Sequence, residues 1–154
     1  MNRKINTIRD LTLVEKELGS ANAGVVSVSL KKDGFAQFAT NFVYQNKNIF
    51  FYLDNEELLR TIKIDSLAKF TILKEKNVTK DLIDKKDSLY RLFSIVVTGS
   101  VREAEESRTI KDIAQSFIEK YSGKLLYSDK DNQLGGKLFL IDSEELLAYD
   151  EIGF

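Results

Sequence analysis

The chain has 154 residues and a formal net charge of −1 at pH 7, from 23 basic and 24 acidic side chains. Hydrophobic residues make up 43% and charged residues 31%, which is typical of a globular protein, and we expect one domain over residues 1–154. The balanced charge gives no electrostatic reason to expect nucleic acid or an anionic membrane as a partner. No segment resembles a signal peptide or the roughly 20 apolar residues of a membrane span, so the expected location is cytoplasmic.

Three residue types are missing, and their absence narrows the possible chemistry. The sequence contains no Cys, no His and no Pro. The lack of Cys excludes disulfides, thiolate nucleophiles and Cys-ligated metals. The lack of His excludes Ser-His-Asp and Cys-His catalysis and a His-ligated haem iron. An enzyme with this composition would depend on carboxylates, Lys or Tyr, or on a cofactor that carries the reactive chemistry.

The first third of the sequence predicts a helix and then an antiparallel meander. Residues 7–18 place apolar side chains at helical spacing, with Thr7 as the predicted N-cap and Gly19 as the predicted C-terminal cap. "KKDG" predicts a tight turn in which Gly34 takes a positive φ. Alternating or aromatic-rich segments predict three consecutive strands, at residues 24–30, 35–44 and 49–53.

The rest of the sequence predicts a second set of helices and strands. "DNEELLRTIKID" is typical of a short helix with Asp54 as the N-cap and Glu57 completing a capping box. A long strand is predicted at 89–105, with a bulge or bend at Gly99. A single apolar stripe predicts an amphipathic helix at 107–121. The other predicted elements are a strand at 67–73, an exposed segment at 74–88, a loop at 128–136, and strands at 137–142 and 145–150.

This order of elements predicts the fold class. Strands joined by short turns close into a barrel more readily than they form a parallel sheet, which needs long crossovers. We therefore expect a mainly β protein with α-helices, of the α+β class, built as a small antiparallel barrel with flanking helices.

Several motifs allow both a functional and a purely structural interpretation. Asp129 and Asp131 have the opening spacing of a calcium-binding loop, but Leu134 and Leu140 occupy the positions that require Gly and Glu, so we expect no metal site. The acidic "DNEE" cluster could be a carboxylate pair for acid–base chemistry, but the start of a helix, whose dipole stabilises acidic residues, explains it. The aromatic side chains of residues 35–52 are expected to form core, although they could also line the site of a flat ligand.

Two segments resemble the pyridoxamine-5′-phosphate-oxidase-like, FMN-binding split-barrel family. "GVVSVSLKKDGFAQFATNFVYQNKNIFFYLD" is similar to its opening strands around an Asp-Gly turn, and "YRLFSIVVTGSVREAEE" followed by a helix is similar to its second half. The likeness spans about residues 8–122 and rests on the pattern and order of elements. It implies a split β-barrel that forms a homodimer, with FMN at the interface between subunits.

The resemblance also assigns candidate residues to the cofactor site. It places Thr40, Asn41, Phe42, Leu53 and Asp54 along the border of the flavin. Where the family has basic phosphate ligands this sequence has none, and the basic side chains that could replace them are Arg60, Lys63 and Arg91. A phosphate dianion needs such charge-assisted donors.

The function implied is therefore that of a flavin-dependent oxidoreductase of unknown substrate, with no catalytic side chain assigned. The alternative is a non-enzymatic dimer that binds another small ligand in a degenerate phosphate site. One branch of the family degrades haem with a histidine ligand, which this chain lacks. On the residues alone, Arg60 and Lys63 could equally be solubility charges on a helix surface.

Overall fold

A computed structural model describes residues 2–76, 90–122 and 136–153. The described residues form eight strands and three helices. The strands are β1 (Arg3–Thr7), β2 (Gly24–Ser29), β3 (Phe35–Thr40), β4 (Val43–Gln45), β5 (Asn48–Leu53), β6 (Leu67–Glu75), β7 (Tyr90–Glu103) and β8 (Lys137–Gly153). The helices are α1 (Leu11–Ser20), α2 (Glu56–Thr61) and α3 (Ser107–Tyr121).

All eight strands belong to one antiparallel sheet. The strand order is β3-β2-β6-β7-β8-β5-β4, and β1 pairs with the end of β8. Strands β3 and β4 follow each other in the chain yet lie at opposite ends of this order, so the sheet curls and its two free edges are joined by only two residues. The expected α+β class with an antiparallel split barrel and flanking helices is confirmed.

The two hairpin pairings of the predicted meander are confirmed, but the prediction of one continuous middle strand is wrong. Residues 35–44 form two strands, because the backbone leaves the sheet at Asn41 and Phe42. Strand β3 pairs with β2, whereas β4 pairs with β5 across a two-residue turn at Asn46 and Lys47, both at positive φ. Gly34 takes the predicted positive φ of 105° in the turn between β2 and β3.

The chain termini also differ from the prediction. Thr7, the predicted N-cap, is instead the last residue of an unpredicted strand, β1, and α1 begins after Asp10, whose carboxylate accepts a hydrogen bond from the Leu13 N–H. Gly19 lies inside α1 and is not its C-terminal cap. The two last predicted strands are one long strand, β8, which pairs with the whole of β7.

Helix α3 and the bulge between β7 and β8 agree with their predictions. Helix α3 has the predicted bounds, and it buries Ile113, Phe117 and Tyr121. The β7–β8 register shifts between Thr98 and Gly99, which confirms the predicted irregularity. Strand β6 continues to Glu75, so the predicted exposed segment starts too early. The rest of that segment, and the loop with Asp129 and Asp131, lie outside the described residues.

The core lies inside the curled sheet. Inward-facing residues of β2, β6 and β7 alternate with outward-facing ones, as the period of a strand requires. Among the fully buried aromatic side chains, Phe42 and Phe70 pack with ring centroids 4.5 Å apart, and Phe51 stacks on Phe139 at 6.1 Å. A second cluster, around Phe117, packs α3 against β4 and β5.

Candidate functional site

The outward-facing side of strands β3, β2, β6 and β7 forms one continuous surface, here called the outer face. Cross-strand neighbours connect it, since Ala39 lies opposite Val25, Val25 opposite Thr71, and Thr71 opposite Val96. The outer face comprises Phe35, Gln37, Ala39, Val25, Ser27, Ser29, Leu67, Lys69, Thr71, Leu73, Ser94, Val96, Thr98 and Ser100.

The outer face is unusually poor in charge for a surface of this protein. Lys69 is the one charged residue among these fourteen, in a chain with 31% charged residues. The next charged side chains on the same side are Glu75 and Arg102, further along β6 and β7. Four large apolar side chains on it are exposed: Val25 by 42%, Phe35 by 66%, Leu67 by 58% and Leu73 by 70%. Depletion of charge together with exposed apolar groups is typical of a surface that another molecule covers.

Thr40 and Asn41 lie at one end of the outer face, where β3 stops. Both are buried polar residues, with exposed fractions of 4% and 6%. The Thr40 hydroxyl donates to the Asn41 carbonyl at 3.0 Å, and the Asn41 amide Nδ2 donates to the Asn22 carbonyl at 2.9 Å. These bonds give the junction between β3 and β4 a defined shape.

Phe42 lies at the same junction, but its ring is part of the core and is fully buried. Its backbone is held by two residues that sequence reasoning did not identify, Lys120 and Tyr121 at the end of α3. The Phe42 N–H donates to the Tyr121 hydroxyl at 3.0 Å, and the Phe42 carbonyl accepts from Lys120 Nζ at 2.9 Å. The apolar stripe of α3 placed Tyr121 on the buried side, but no local pattern indicated its partner.

Burial shifts the pKa of both α3 side chains. Desolvation lowers the pKa of Lys120 to about 8, because the apolar surroundings disfavour the ammonium form. Desolvation also raises the pKa of the Tyr121 phenol. Lys120 Nζ lies 4.0 Å from the centroid of the Phe42 ring, so the cation gains a cation–π contact in place of some of its hydration.

Lys63 and the end of α2, with Arg60, lie at the opposite end of the outer face, whereas Leu53 is the last residue of β5, which does not belong to that face, and Asp54 follows it. Leu53 is buried, whereas Asp54, Arg60 and Lys63 are exposed. The predicted capping role of Asp54 is wrong, since the side chain of Asn55 accepts the Leu58 N–H at 3.0 Å and caps α2.

The end of α2 is joined to the neighbouring turn by backbone hydrogen bonds. The Lys63 N–H donates to the Ser29 carbonyl at 2.9 Å, and the Lys31 N–H donates to the Thr61 carbonyl at 2.7 Å. Lys31 therefore lies beside Lys63. Within the described residues, Lys31, Arg60 and Lys63 form no ion pair with a carboxylate, so these cations are available to an anion.

The two ends of the outer face are about 17 Å apart. Thr40 pairs with Gly24 and Lys63 contacts Ser29, five residues further along β2 at about 3.3 Å each. Thr40 and Asn41, both buried, therefore lie near one end of the outer face, and Arg60 and Lys63, both exposed, lie near the other.

Within one chain, Arg91 lies far from Arg60 and Lys63. It lies at the far end of β7, ten residues from Val101, where Asp65 pairs, which corresponds to about 33 Å of strand. Its guanidinium donates to both carboxylate oxygens of Asp150, at 3.0 and 2.7 Å, and this pairing raises the pKa of Arg91. Its charge is thus already compensated.

Two surface clefts lie elsewhere. One, of about 310 Å³, lies at the start of α3 beside Arg102 and Asp142, and another, of about 270 Å³, lies between α1 and β8 beside Leu11 and Leu147. Neither contains a residue that the sequence assigned to the cofactor site. The described part of the chain contains no cluster of carboxylates suited to a metal ion. None of its helices has the length and apolar character needed to cross a bilayer.

Comparison with solved structures identifies the fold, although no family model and no curated protein matches the sequence. A proposed 5-nitroimidazole antibiotic resistance protein from Bacteroides thetaiotaomicron superposes with a TM-score of 0.72 and 15% identity, covering 100% of this chain and 93% of that one. The FAD-binding protein from Mycobacterium smegmatis gives 0.66 and 17%, covering 96% and 100%. A proposed pyridoxamine 5′-phosphate oxidase from Corynebacterium glutamicum gives 0.62 and 14%, covering 97% and 95%.

Haem proteins share this architecture as well. HutZ, the haem storage protein from Vibrio cholerae, gives a TM-score of 0.65 with 12% identity, covering 90% of this chain and 94% of that one. The chain therefore has the split-barrel fold of the pyridoxamine-5′-phosphate-oxidase-like proteins, which confirms the resemblance at the level of the fold.

Proposed function

We propose that the protein is a cytoplasmic, homodimeric flavoprotein that binds FMN between two outer faces and acts as a flavin-dependent oxidoreductase. The observation that carries the proposal is the outer face, a nearly uncharged surface with exposed apolar side chains. It is supported by the flavin named for the Mycobacterium smegmatis protein of the same fold. A second copy of the chain would cover the exposed apolar groups, and a flat apolar ring system would fit the same dry interface.

The distribution of charge along the outer face suits FMN. Arg60 and Lys63, with Lys31 beside them, would hold the phosphate at one end, and Asn41 would border the ring at the other. Glu56 and Glu57 lie four and three residues before Arg60 in α2, which is one helical turn, so Lys63 and Lys31 would have to share the phosphate with Arg60 and offset the nearby carboxylates. FMN, when bound, supplies the redox chemistry, and this chain's residues bind it, orient it and exclude water.

The phosphate contacts can be tested by comparing FMN with riboflavin, which lacks the phosphate. The Arg60→Gln/Lys63→Gln variant should bind FMN about 10- to 100-fold more weakly, because two charge-assisted contacts are lost. Its riboflavin affinity should change less than about threefold. Lys111→Gln, which removes an exposed cation on α3, is the matched control and should change neither affinity. Equal weakening of both ligands would place the phosphate elsewhere.

The interface can be tested by introducing a charge at the centre of the outer face. Thr71 is half-buried there, and Thr71→Glu would place a carboxylate against its own copy across the dimer. By light scattering, the wild type should have twice the 17.6 kDa mass of one chain, and Thr71→Glu should have the mass of a monomer. Thr12→Glu, at an exposed position in α1, should stay dimeric. A monomeric wild type would refute the proposed interface.

A non-enzymatic ligand-binding dimer is the second candidate. Two features favour it: residues 39–44 contain no basic residue, and the first turn of α2 is acidic. A phosphate would then have to be held by side chains at or beyond the end of α2. Purified protein that is yellow, or becomes so with FMN, and then oxidises a nicotinamide donor would support the enzyme. Protein that stays colourless with FMN, with no thermal shift, would support the second candidate.

A further inference from the structure

The junction between β3 and β4 has a backbone that no strand pairing satisfies. Asn41 and Phe42 take part in no ladder of the sheet, because β3 and β4 belong to opposite ends of the strand order. Phe42 is fully buried, so its N–H and carbonyl groups cannot be left to water. A buried backbone of this kind requires partners from elsewhere in the protein.

The last two residues of α3 supply those partners. The Tyr121 hydroxyl accepts the Phe42 N–H at 3.0 Å and lies 2.7 Å from the Phe42 carbonyl, which also accepts from Lys120 Nζ. The same hydroxyl lies 2.8 Å from the Asn22 carbonyl, to which Asn41 also donates. Two side chains therefore hold the loop before β2, the β3–β4 junction and the end of α3 together.

Bonding the Phe42 carbonyl through Lys120 costs free energy, because the ammonium group must be partly desolvated. Lys120 is only partly exposed, and within the described residues no carboxylate forms an ion pair with it. Desolvating an ammonium group without a counter-charge costs free energy, which the Phe42 ring and carbonyl offset only in part. The arrangement is understandable if the junction must be held in one shape.

We propose that Lys120 and Tyr121 are positioning residues for the flavin site: by fixing the backbone of Phe42, they present Asn41 to the ring of the cofactor. This inference rests on the proposed function and adds to it that the end of α3 controls the affinity of the site without contributing a phosphate ligand. Removing either contact should loosen the border of the ring and leave the phosphate end, about 17 Å away, unaffected.

The test compares Tyr121→Phe and Lys120→Met with wild type, in FMN and riboflavin binding measured well below the melting temperature. Both ligands should bind at least tenfold more weakly, to the same extent, and the visible absorption bands of the bound flavin should shift. Lys120→Arg should restore much of the affinity, because it keeps the charge and the donors. Tyr44→Phe, which removes a hydroxyl bonded to Glu15 at 2.7 Å, is the matched control and should bind both flavins normally.

Amide hydrogen exchange of Phe42 gives a readout that needs no flavin. It should accelerate in Tyr121→Phe, because the N–H loses its acceptor, and not in Tyr44→Phe. If one of the two variants fails to fold, the other carries the comparison. A wild type that binds no flavin would refute both proposals. A wild type that binds flavin, with variants of unchanged affinity, unchanged Phe42 exchange or a loss confined to FMN, would refute only the role given to Lys120 and Tyr121.

Discussion

Gly99 is the position where one methyl group should have the largest effect on folding. It lies at the register shift of the β7–β8 pair, where Thr98 is opposite Glu145 and Gly99 is opposite Ser143. A Cβ at this position would lie 1.9 Å from the carbonyl oxygen of Asp142 and 2.7 Å from its carbonyl carbon. Both atoms belong to the backbone of β8, so no side-chain rotation can make room.

The expected cost of Gly99→Ala follows from these contacts. Overpacking a well-packed site costs about 1–3 kcal/mol. Separating the two backbones also weakens the short ladder beyond the bulge, from Ser100 opposite Asp142 to Glu103 opposite Phe139, where each hydrogen bond contributes about 0.5–1.5 kcal/mol. We expect a loss of about 3–5 kcal/mol in the free energy of unfolding, a large part of the roughly 5–15 kcal/mol of a typical domain.

Urea unfolding followed by far-ultraviolet circular dichroism measures this loss as a lower midpoint. Gly19→Ala is the matched control, because Gly19 lies in α1 and has nothing within 4 Å of its would-be Cβ. Alanine is the better helix former, so this variant should gain about 0.5–1 kcal/mol. The same chemical change therefore has opposite signs at the two sites. A Gly99→Ala variant within 0.5 kcal/mol of wild type would show that the strands do not approach as closely as the register requires.

Three further variants test individual contacts. Because burial holds the pKa of Lys120 near 8, below its ordinary value, the unfolded chain binds more protons between about pH 8 and 10.5. The wild-type free energy of unfolding should therefore rise from pH 8 to pH 9.5, and this rise should be smaller in Lys120→Met; equal slopes in urea titrations would contradict the burial. Arg91→Lys should lower the free energy of unfolding by about 0.5–1 kcal/mol, because lysine cannot reproduce the two bonds to Asp150. A double-mutant cycle with Asp150→Asn checks that this loss comes from the pair. Tyr44→Phe should cost about 0.5–1.5 kcal/mol through loss of the Glu15 hydrogen bond, measured as a thermal shift, and no shift would show that water replaces it.

Local signals in the sequence predicted the elements whose formation depends on neighbouring residues. The apolar stripe of α3, the glycine in the β2–β3 turn and the glycine at the β7–β8 bulge were all identified because each signal is contained in a few consecutive positions. The N-terminal strand was missed because the residues of Arg3–Thr7 are all exposed and do not alternate. That segment is a strand only because the end of β8 offers it an edge.

In the candidate site, too, the sequence predicted some residues, whereas other contacts depend on the tertiary structure. The resemblance singled out Thr40–Phe42, Arg60 and Lys63. The structure buries Thr40–Phe42 near one end of the outer face and leaves Arg60 and Lys63 exposed near the other. The resemblance could not assign a role to the end of α3, since Tyr121 meets Phe42 across 79 positions of sequence. It also grouped Arg91 with Arg60 and Lys63, although β7 carries Arg91 to the other end of the sheet.

The sequence by itself determined composition, helix and strand periodicity, turn chemistry and the absence of cysteine and histidine, because each of these is a property of single residues or short windows. Only the tertiary structure decided that the chain leaves the sheet between β3 and β4 at Asn41 and that β1 pairs with β8. It also decided that Lys120 and Tyr121 hydrogen-bond the backbone of Phe42. Pairing and burial are set by residues far apart in the chain, and which of many compatible partners is chosen depends on the free energy of the whole sheet rather than on any one segment.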